Sequence, residues 1–271
     1  MIRRLFSAFG FSTVAALVSF WRGSLSPSGI FGALLVGTLT IGLGGWSWGL
    51  LLAFFFISSS LLSHFKEREK QTAAEKFDKG HRRDFAQALA NGGAGATAAL
   101  LSQLSPSSAW FPFFLGATAT ANADTWATEL GTLSQRPPRL ITNGRPAPVG
   151  TSGAISTLGT LVSFLGGALI GVAAAVGKER QQPWHAILIG ALAGLTGSLF
   201  DSLLGATVQQ IFYCDYCKKE TERKIHKCGH QTRSLRGWSW LNNDLVNLFA
   251  SVVGGLIAVA LSRLLKGTKE S

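Results

Sequence analysis

Apolar residues gather into eight stretches, at 5–21, 28–43, 46–62, 86–104, 109–123, 154–176, 184–207 and 245–262, and the loops between them hold nearly all the charge. Each stretch is near the ~20 residues an α-helix needs to cross the hydrocarbon of a bilayer, although 28–43 and 109–123 are short. The first follows Arg3 and Arg4, as a signal peptide would, yet no small-residue cleavage site stands before Trp21 and Arg22, so it is read as a span. The pattern predicts an all-α fold: one polytopic integral membrane helix bundle over 1–271, with about eight transmembrane helices, or seven if 5–21 does not span. Loop 63–85 mixes both signs of charge and lacks breakers until Gly80, so a helix lying on the cytosolic membrane surface is expected there. The stretch RPPRLITNGRPAP at 136–148 is broken by four prolines and must be a structured loop.

Composition supports this reading. Only 14% of residues are charged, against roughly 25% in soluble domains, and 32 of the 271 are glycine. Small residues let membrane helices approach closely. Disorder, coiled coil and a disulfide scaffold are excluded. The net charge of +11 suggests nucleic acid in a soluble protein, but here it fits the Lys and Arg excess of cytosolic loops, and no nucleic-acid partner is expected. With eight spans, 18 of the 25 Lys and Arg fall on one side, in loops 63–85, 124–153 and 208–244 and at Arg22. If 5–21 does not span, that side holds 20 of them. Either way the three long loops are expected in the cytosol.

Carboxylates beside the hydrocarbon are costly and usually functional. Asp124 closes one apolar segment, Asp201 sits in the last turns of another, and Asp244 opens the last, with Glu129 nearby. Three carboxylates from three helices at one depth suggest a shared site for Mg²⁺, which takes oxygen ligands. Helix capping is the alternative, most of all for Asp244 after Asn242-Asn243. The remaining acids, Glu222 among them, are read as solvated.

The turn Gly150-Thr151-Ser152-Gly153 precedes a long helix, a place where backbone N–H groups and the helix dipole bind phosphate, although a packing turn explains it equally well. Asn91-Gly92-Gly93 offers similar geometry near the start of another segment. Two hairpins would then share a small-residue entry and an acid-hydroxyl exit, a weak internal echo. Arg83 and Arg139, with Arg82 and Arg145, lie close to these turns in sequence and suit phosphate neutralisation or lipid headgroups. All three cysteines fall in loop 208–244: Cys214-x2-Cys217, then His226-x-Cys228-x-His230. That spacing suits a structural Zn²⁺ held by Cys214, Cys217, Cys228 and one of His226 or His230, with free thiols as the alternative.

Four motifs occur in order: Asp124-Thr125-Trp126-Ala127-Thr128-Glu129-Leu130-Gly131, Gly150-Thr151-Ser152-Gly153-Ala154, Asp201-Ser202-Leu203-Leu204-Gly205-Ala206-Thr207 and Leu241-Asn242-Asn243-Asp244-Leu245-Val246-Asn247. Together they resemble the membrane family known as domain of unknown function ninety-two, over about residues 10–262, a family that includes animal transmembrane protein 19 and a plant phytyl-phosphate kinase. The cysteine-histidine insert departs from the plant and animal members and is similar to prokaryotic relatives, which points to a prokaryotic cell membrane. The resemblance implies phosphoryl transfer from a nucleoside triphosphate, CTP or ATP, to an isoprenoid monophosphate. On that reading Asp124 and Asp201 bind Mg²⁺, and Glu129 and Asp244 support them. The 150–153 turn with Arg83 or Arg139 holds phosphates, and the glycine-rich helices leave a groove for the lipid tail. The competing class is a carrier or flippase for an ion or anionic lipid, working in membrane lipid without nucleotide turnover.

Overall fold

The computed structural model describes residues 1–66, 69–70, 82–177 and 182–267. Each of the eight apolar stretches becomes a helix: α1 (Ile2–Trp21), α2 (Pro27–Leu39), α3 (Trp46–His64), α4 (Phe85–Leu104), α5 (Trp110–Gly131), α6 (Thr157–Val176), α7 (Pro183–Thr207) and α8 (Asn243–Gly267). A π-turn at Thr40–Gly44 prolongs α2. Six of the eight are long and apolar enough to cross a membrane, with α2 counted together with its π-turn. The other two, α4 and α5, have the length but are richer in Gly, Asn, Gln and Thr; α5 is the interior of the bundle, and α4 packs on α2, α5 and α8. The surface helix expected over 63–85 falls largely on residues outside those described; α3 itself runs to His64.

Helix α5 is the axis, touching α3, α4, α6, α7 and α8. Its residues Leu115 to Ala123 are all buried. Buried Asn122 ties it to two neighbours: its Oδ1 accepts from Ser58 Oγ at 2.8 Å, and its Nδ2 donates to Gly166 O at 2.7 Å. A membrane interior offers no water to these groups, so the neighbouring helices must satisfy them. Glycines set the spacing of α6 and α7. A Cβ on Gly167 would stand 2.5 Å from Gly190 O, and one on Gly190 2.6 Å from Gly167 O, so the two backbones touch. At the end of the bundle where α1 begins, Arg4 donates to the carbonyls of Gly42 (2.8 Å) and Leu43 (3.0 Å), which the π-turn leaves free of α-helical pairing.

The long loops are structured. Strands β1 (Arg139–Leu140) and β2 (Ala154–Ile155) pair antiparallel and close the proline-rich loop. In loop 208–244, β3 (Ile211–Cys214) is flanked by β4 (Lys219–Thr221) and β5 (Arg233–Arg236) in the antiparallel order β4-β3-β5. Both loops fold back over the same end of the bundle, where α5 and α7 carry their carboxylates.

A candidate phosphate and metal cleft

At that end lies a cleft of about 1100 Å³, lined by residues of loops 63–85, 124–153 and 208–244 together with α4 to α8. Asp124, Glu129, Asp201, Asp244, Arg83, Asn91 and the whole Gly150–Gly153 turn line it. Arg139 does not. It is exposed on the hairpin and donates to Gly144 O at 2.8 Å, so nearness in sequence to the turn misplaces it in space.

Asp124 is not the end of its helix. α5 continues to Gly131, because backbone hydrogen bonding carries the helix on through the polar Asp-Thr-Trp-Ala-Thr-Glu sequence, which faces the cleft rather than lipid. Asp201, on α7, lines the same cleft. The two carboxylates are close enough to feel each other's charge. Asp124 Oδ1 accepts from Ser198 Oγ at 3.3 Å, whereas Asp201 Oδ2 is buried without a hydrogen-bond partner. A buried carboxylate oxygen left unpaired beside a second carboxylate suits a hard divalent cation such as Mg²⁺.

Glu129, one turn beyond, is held differently. Lys70 forms an ion pair with its Oε2, and Ser63 Oγ donates to its Oε1 at 2.7 Å. Lys70 Nζ also donates to the carbonyls of Leu62 and Ser63, which close the last turn of α3. Asp244 lies in the first turn of α8 and lines the cleft, while the adjacent Asn242 makes the capping contact, accepting from Leu245 N–H at 3.1 Å.

Arg83 enters the cleft from the segment before α4. Its backbone pairs with the 24–26 segment, donating to Ser24 O and accepting from Ser26 N–H, both at 3.0 Å. A Cβ on Gly29 would overlap Arg83 O, which is why only glycine serves there. The next residue, Asp84, caps α4 in a reciprocal box with Gln87. The guanidinium carbon lies 5.3 and 5.4 Å from the ring centres of Phe55 and Phe56. Burial lowers the Arg83 pKa to about 10, the charge of Glu129 opposing the shift, so the group stays cationic at neutral pH. Its Nη1 is buried and has no hydrogen-bond partner. A cation with an unused donor at a cleft suits an anionic ligand such as phosphate.

The two glycine-rich turns differ from expectation. Asn91 sits two turns inside α4, and its Nδ2 donates to Gln87 O at 3.0 Å, so Asn91-Gly92-Gly93 is not a helix start and its amides are committed to the helix. The 150–153 turn is separated from α6 by β2 and by the true cap, Ser156, whose Oγ accepts from Gly159 N–H at 3.0 Å. Its glycines are nonetheless required: Gly153 has φ +79° and a Cβ there would overlap the backbone at Ala206.

Loop 208–244 brings together Cys214, Cys217, His226 and Cys228, whose ligand atoms all lie within 4.8 Å of one another. Cys214 Sγ and Cys228 Sγ are 3.7 Å apart, close to the ~3.8 Å edge of a tetrahedron with Zn–S bonds of ~2.3 Å. His230 is outside the quartet and stacks on Tyr216 at 4.1 Å, although its Nδ1 lies 3.5 Å from Cys228 Sγ. Hydrogen bonds from the His230 backbone and the His226 ring lower the Cys228 pKa to about 6, while a shared proton with Cys228 raises Cys217 to about 11.

This insert reaches the cleft. Glu222, expected in solvent, lines the cleft and feels Asp201. It accepts from Gln209 Nε2 at 2.8 Å, and Gln209 Oε1 accepts from Ser152 Oγ at 2.9 Å, so the cysteine-histidine insert and the glycine turn are hydrogen-bonded through one buried glutamine. Lys224 and Lys227 line the same cavity. Lys70, Gln209 and Glu222 carry no local motif; only the folding back of the two loops identifies them.

A sequence profile described as "Integral membrane protein DUF92" matches residues 10–255. "Protein PGR" of Arabidopsis thaliana is 32% identical over 273 residues, covering 92% of this chain and 93% of that protein. An uncharacterized membrane protein of Methanocaldococcus jannaschii is 32% identical over 258 residues, covering 95% and 94%. "Protein VTE6, chloroplastic" of A. thaliana is 29% identical over 246 residues, covering 88% of this chain and 66% of that protein. No solved structure matches the chain.

Proposed function

The chain belongs to the integral membrane protein family DUF92, and from that premise we propose that it is an isoprenoid monophosphate kinase of the prokaryotic cell membrane, working at the cytosolic face. The observation that carries this reading is the meeting of Asp124 and Asp201, one oxygen of them unpartnered, with buried Arg83 across a single large cleft. The resemblance to a family that includes a plant phytyl-phosphate kinase gives the reaction class; the residues supply its chemistry.

In this reaction an oxygen of the isoprenoid monophosphate attacks the γ-phosphorus of CTP or ATP. The bond to the β-bridging oxygen breaks, and the nucleoside diphosphate leaves with its electron pair. The acceptor is already anionic near neutral pH, so no strong general base is required. Positioning and charge neutralisation are the tasks. Asp124 and Asp201 would hold Mg²⁺, which supplies neutralisation and polarisation of donor phosphate oxygens when bound. Arg83 contributes its unused Nη1 donors to a phosphate, with Lys224 and Lys227 facing the same space. The 150–153 turn borders the phosphates, and its fixed backbone keeps that wall in place. Glu129 acts by positioning, through its ion pair with Lys70, and Asp244 lends negative charge at the rim. Zn²⁺ on Cys214, Cys217, His226 and Cys228 would staple the insert that delivers Glu222, Lys224 and Lys227.

The test is a turnover screen of the purified protein, crossing CTP and ATP with prenyl monophosphates in the presence of Mg²⁺. The expected result is nucleotide consumption that depends on the prenyl phosphate, abolished in Asp124→Asn without loss of thermal stability. Normal turnover in Asp124→Asn would remove the site assignment. Lipid or ion flux into liposomes without nucleotide consumption would replace the kinase by the carrier.

A further inference from the structure

Beside the polar cleft lies a second cavity of about 530 Å³, bounded by α7, α8 and the 237–241 segment. Its walls are almost wholly apolar and include Phe200, Leu203, Trp238, Trp240 and Phe249. Trp240 lines both this groove and the polar cleft. The aromatic wall is ordered: Trp238 and Trp240 stack with ring centres 5.5 Å apart, and Phe249 meets Trp240 edge-on at 6.5 Å.

The backbone that carries these rings is pinned to the end of α7. Trp238 N–H donates to Val208 O at 2.9 Å, Leu241 N–H to Trp238 O at 3.0 Å, and Gln210 N–H to Leu241 O at 2.8 Å. Gly237 has φ +89° and its missing Cβ makes room for the Gln209 carbonyl. The rings are therefore placed by the fold rather than left to drift on an exposed loop. Trp238, Trp240, Phe249 and Leu203 are all largely exposed in the isolated chain, as residues facing hydrocarbon would be.

The geometry points to this groove as the port through which the hydrocarbon tail of the isoprenoid substrate leaves the polar cleft and enters the bilayer between α7 and α8. The proposal rests on the kinase reading and adds to it the path of the tail. An amphiphile whose phosphate sits among Arg83, Asp124 and Asp201 must send its tail along an apolar route. The groove offers one that shares Trp240 as a wall with the cleft. An indole at that boundary has an apolar face for the tail and an N–H for the wet side. The competing occupant is an acyl chain of bulk phospholipid.

The test uses the purified full-length protein with prenyl monophosphates of five, ten, fifteen and twenty carbons and measures kcat/KM for each. Leu203→Trp fills the groove, and Trp240→Ala opens its junction with the cleft. The expected result is that Leu203→Trp lowers the ratio of twenty-carbon to five-carbon kcat/KM by at least about tenfold, the effect of displacing two buried methylenes, and does so through KM rather than kcat. Trp240→Ala is expected to flatten the dependence on chain length. Retained turnover of the five-carbon substrate reports that each variant is folded. A uniform loss across all chain lengths, or no change in the ratio in either variant, assigns the groove to bulk lipid and overturns the port while leaving the kinase intact. Absence of turnover by the wild-type protein with every prenyl phosphate overturns both.

Discussion

Replacing Lys70 with methionine removes one charge but three contacts: the ion pair with Glu129 and the donations to the Leu62 and Ser63 carbonyls at the end of α3. The Lys70 side chain is 9% exposed and that of Glu129 21%. Breaking a fully buried pair by deleting one partner costs ~3–5 kcal/mol, whereas exposed pairs contribute only ~0–1 kcal/mol. Glu129 keeps the Ser63 hydroxyl and the nearby Arg83 charge, which offset part of the loss. The expected destabilisation is therefore about 2–3 kcal/mol. At ~2–4 °C per kcal/mol for chains of this size, the thermal midpoint in detergent should fall by about 4–12 °C. Glu129→Gln in the Lys70→Met background should restore about half of that, since the uncompensated charge is gone while the α3 carbonyls remain unmet. Differential scanning fluorimetry of the four proteins measures the coupling directly. The Mg²⁺ concentration that supports half-maximal turnover should stay the same in Lys70→Met, because Glu129 positions rather than ligates. Strict additivity of the two substitutions would refute the ion pair, and a shifted Mg²⁺ requirement would refute the positioning role.

Asp201→Asn should raise the Mg²⁺ requirement of turnover at least about tenfold, the effect of losing one charged ligand oxygen, as read by a metal titration of activity. Cys214→Ser should lower bound zinc, measured by elemental analysis, from about one ion per chain to near zero; the wild-type protein treated with chelator should lose turnover in parallel, because Glu222 and the Gln209–Ser152 link depend on the stapled insert, and the loss should persist when Mg²⁺ alone is restored in excess. Arg83→Met should raise KM for the prenyl phosphate at least about tenfold, while Arg139→Ala should change it less than about twofold, by steady-state kinetics. Gly190→Ala should destabilise by ~1–3 kcal/mol where α6 and α7 touch. Gly93→Ala, whose new methyl would meet nothing nearer than Leu89 Cβ at 4.0 Å, should stabilise by up to ~1 kcal/mol.

The spans were legible because exclusion of polar side chains from hydrocarbon writes itself directly into the sequence. The same criterion failed at Asp124. Reading the segment as ending where polarity begins shortened α5 by two turns, since a helix facing a wet cleft can carry Asp, Thr and Glu without breaking. Asn91-Gly92-Gly93 misleads for a related reason: its glycines mark no boundary, whereas the boundary signal is the Asp84-x-x-Gln87 box, hidden at the end of a charged loop. Arg139 shows the limit of sequence proximity, because a hairpin turns its side chain outward while Arg83, more than 60 residues before the glycine turn, arrives in the cleft. Glu222 was unreadable for the opposite reason. It sits in a hydrophilic insert that looks solvated until β3–β5 folds back and Gln209 ties it to Ser152. The clustering of Cys214, Cys217 and Cys228 was readable as a spacing, but that His226 rather than His230 joins the cluster needed the hairpin.

The contact of α6 with α7, where carbonyl meets α-carbon with no side chain between, leaves these helices no slack. A sliding or rocking motion of one past the other would drive Gly190 O into Gly167 before any passage opened. The pair therefore behaves as one rigid unit, and the stretch of α7 that carries Asp201 is anchored to α6 by backbone contact.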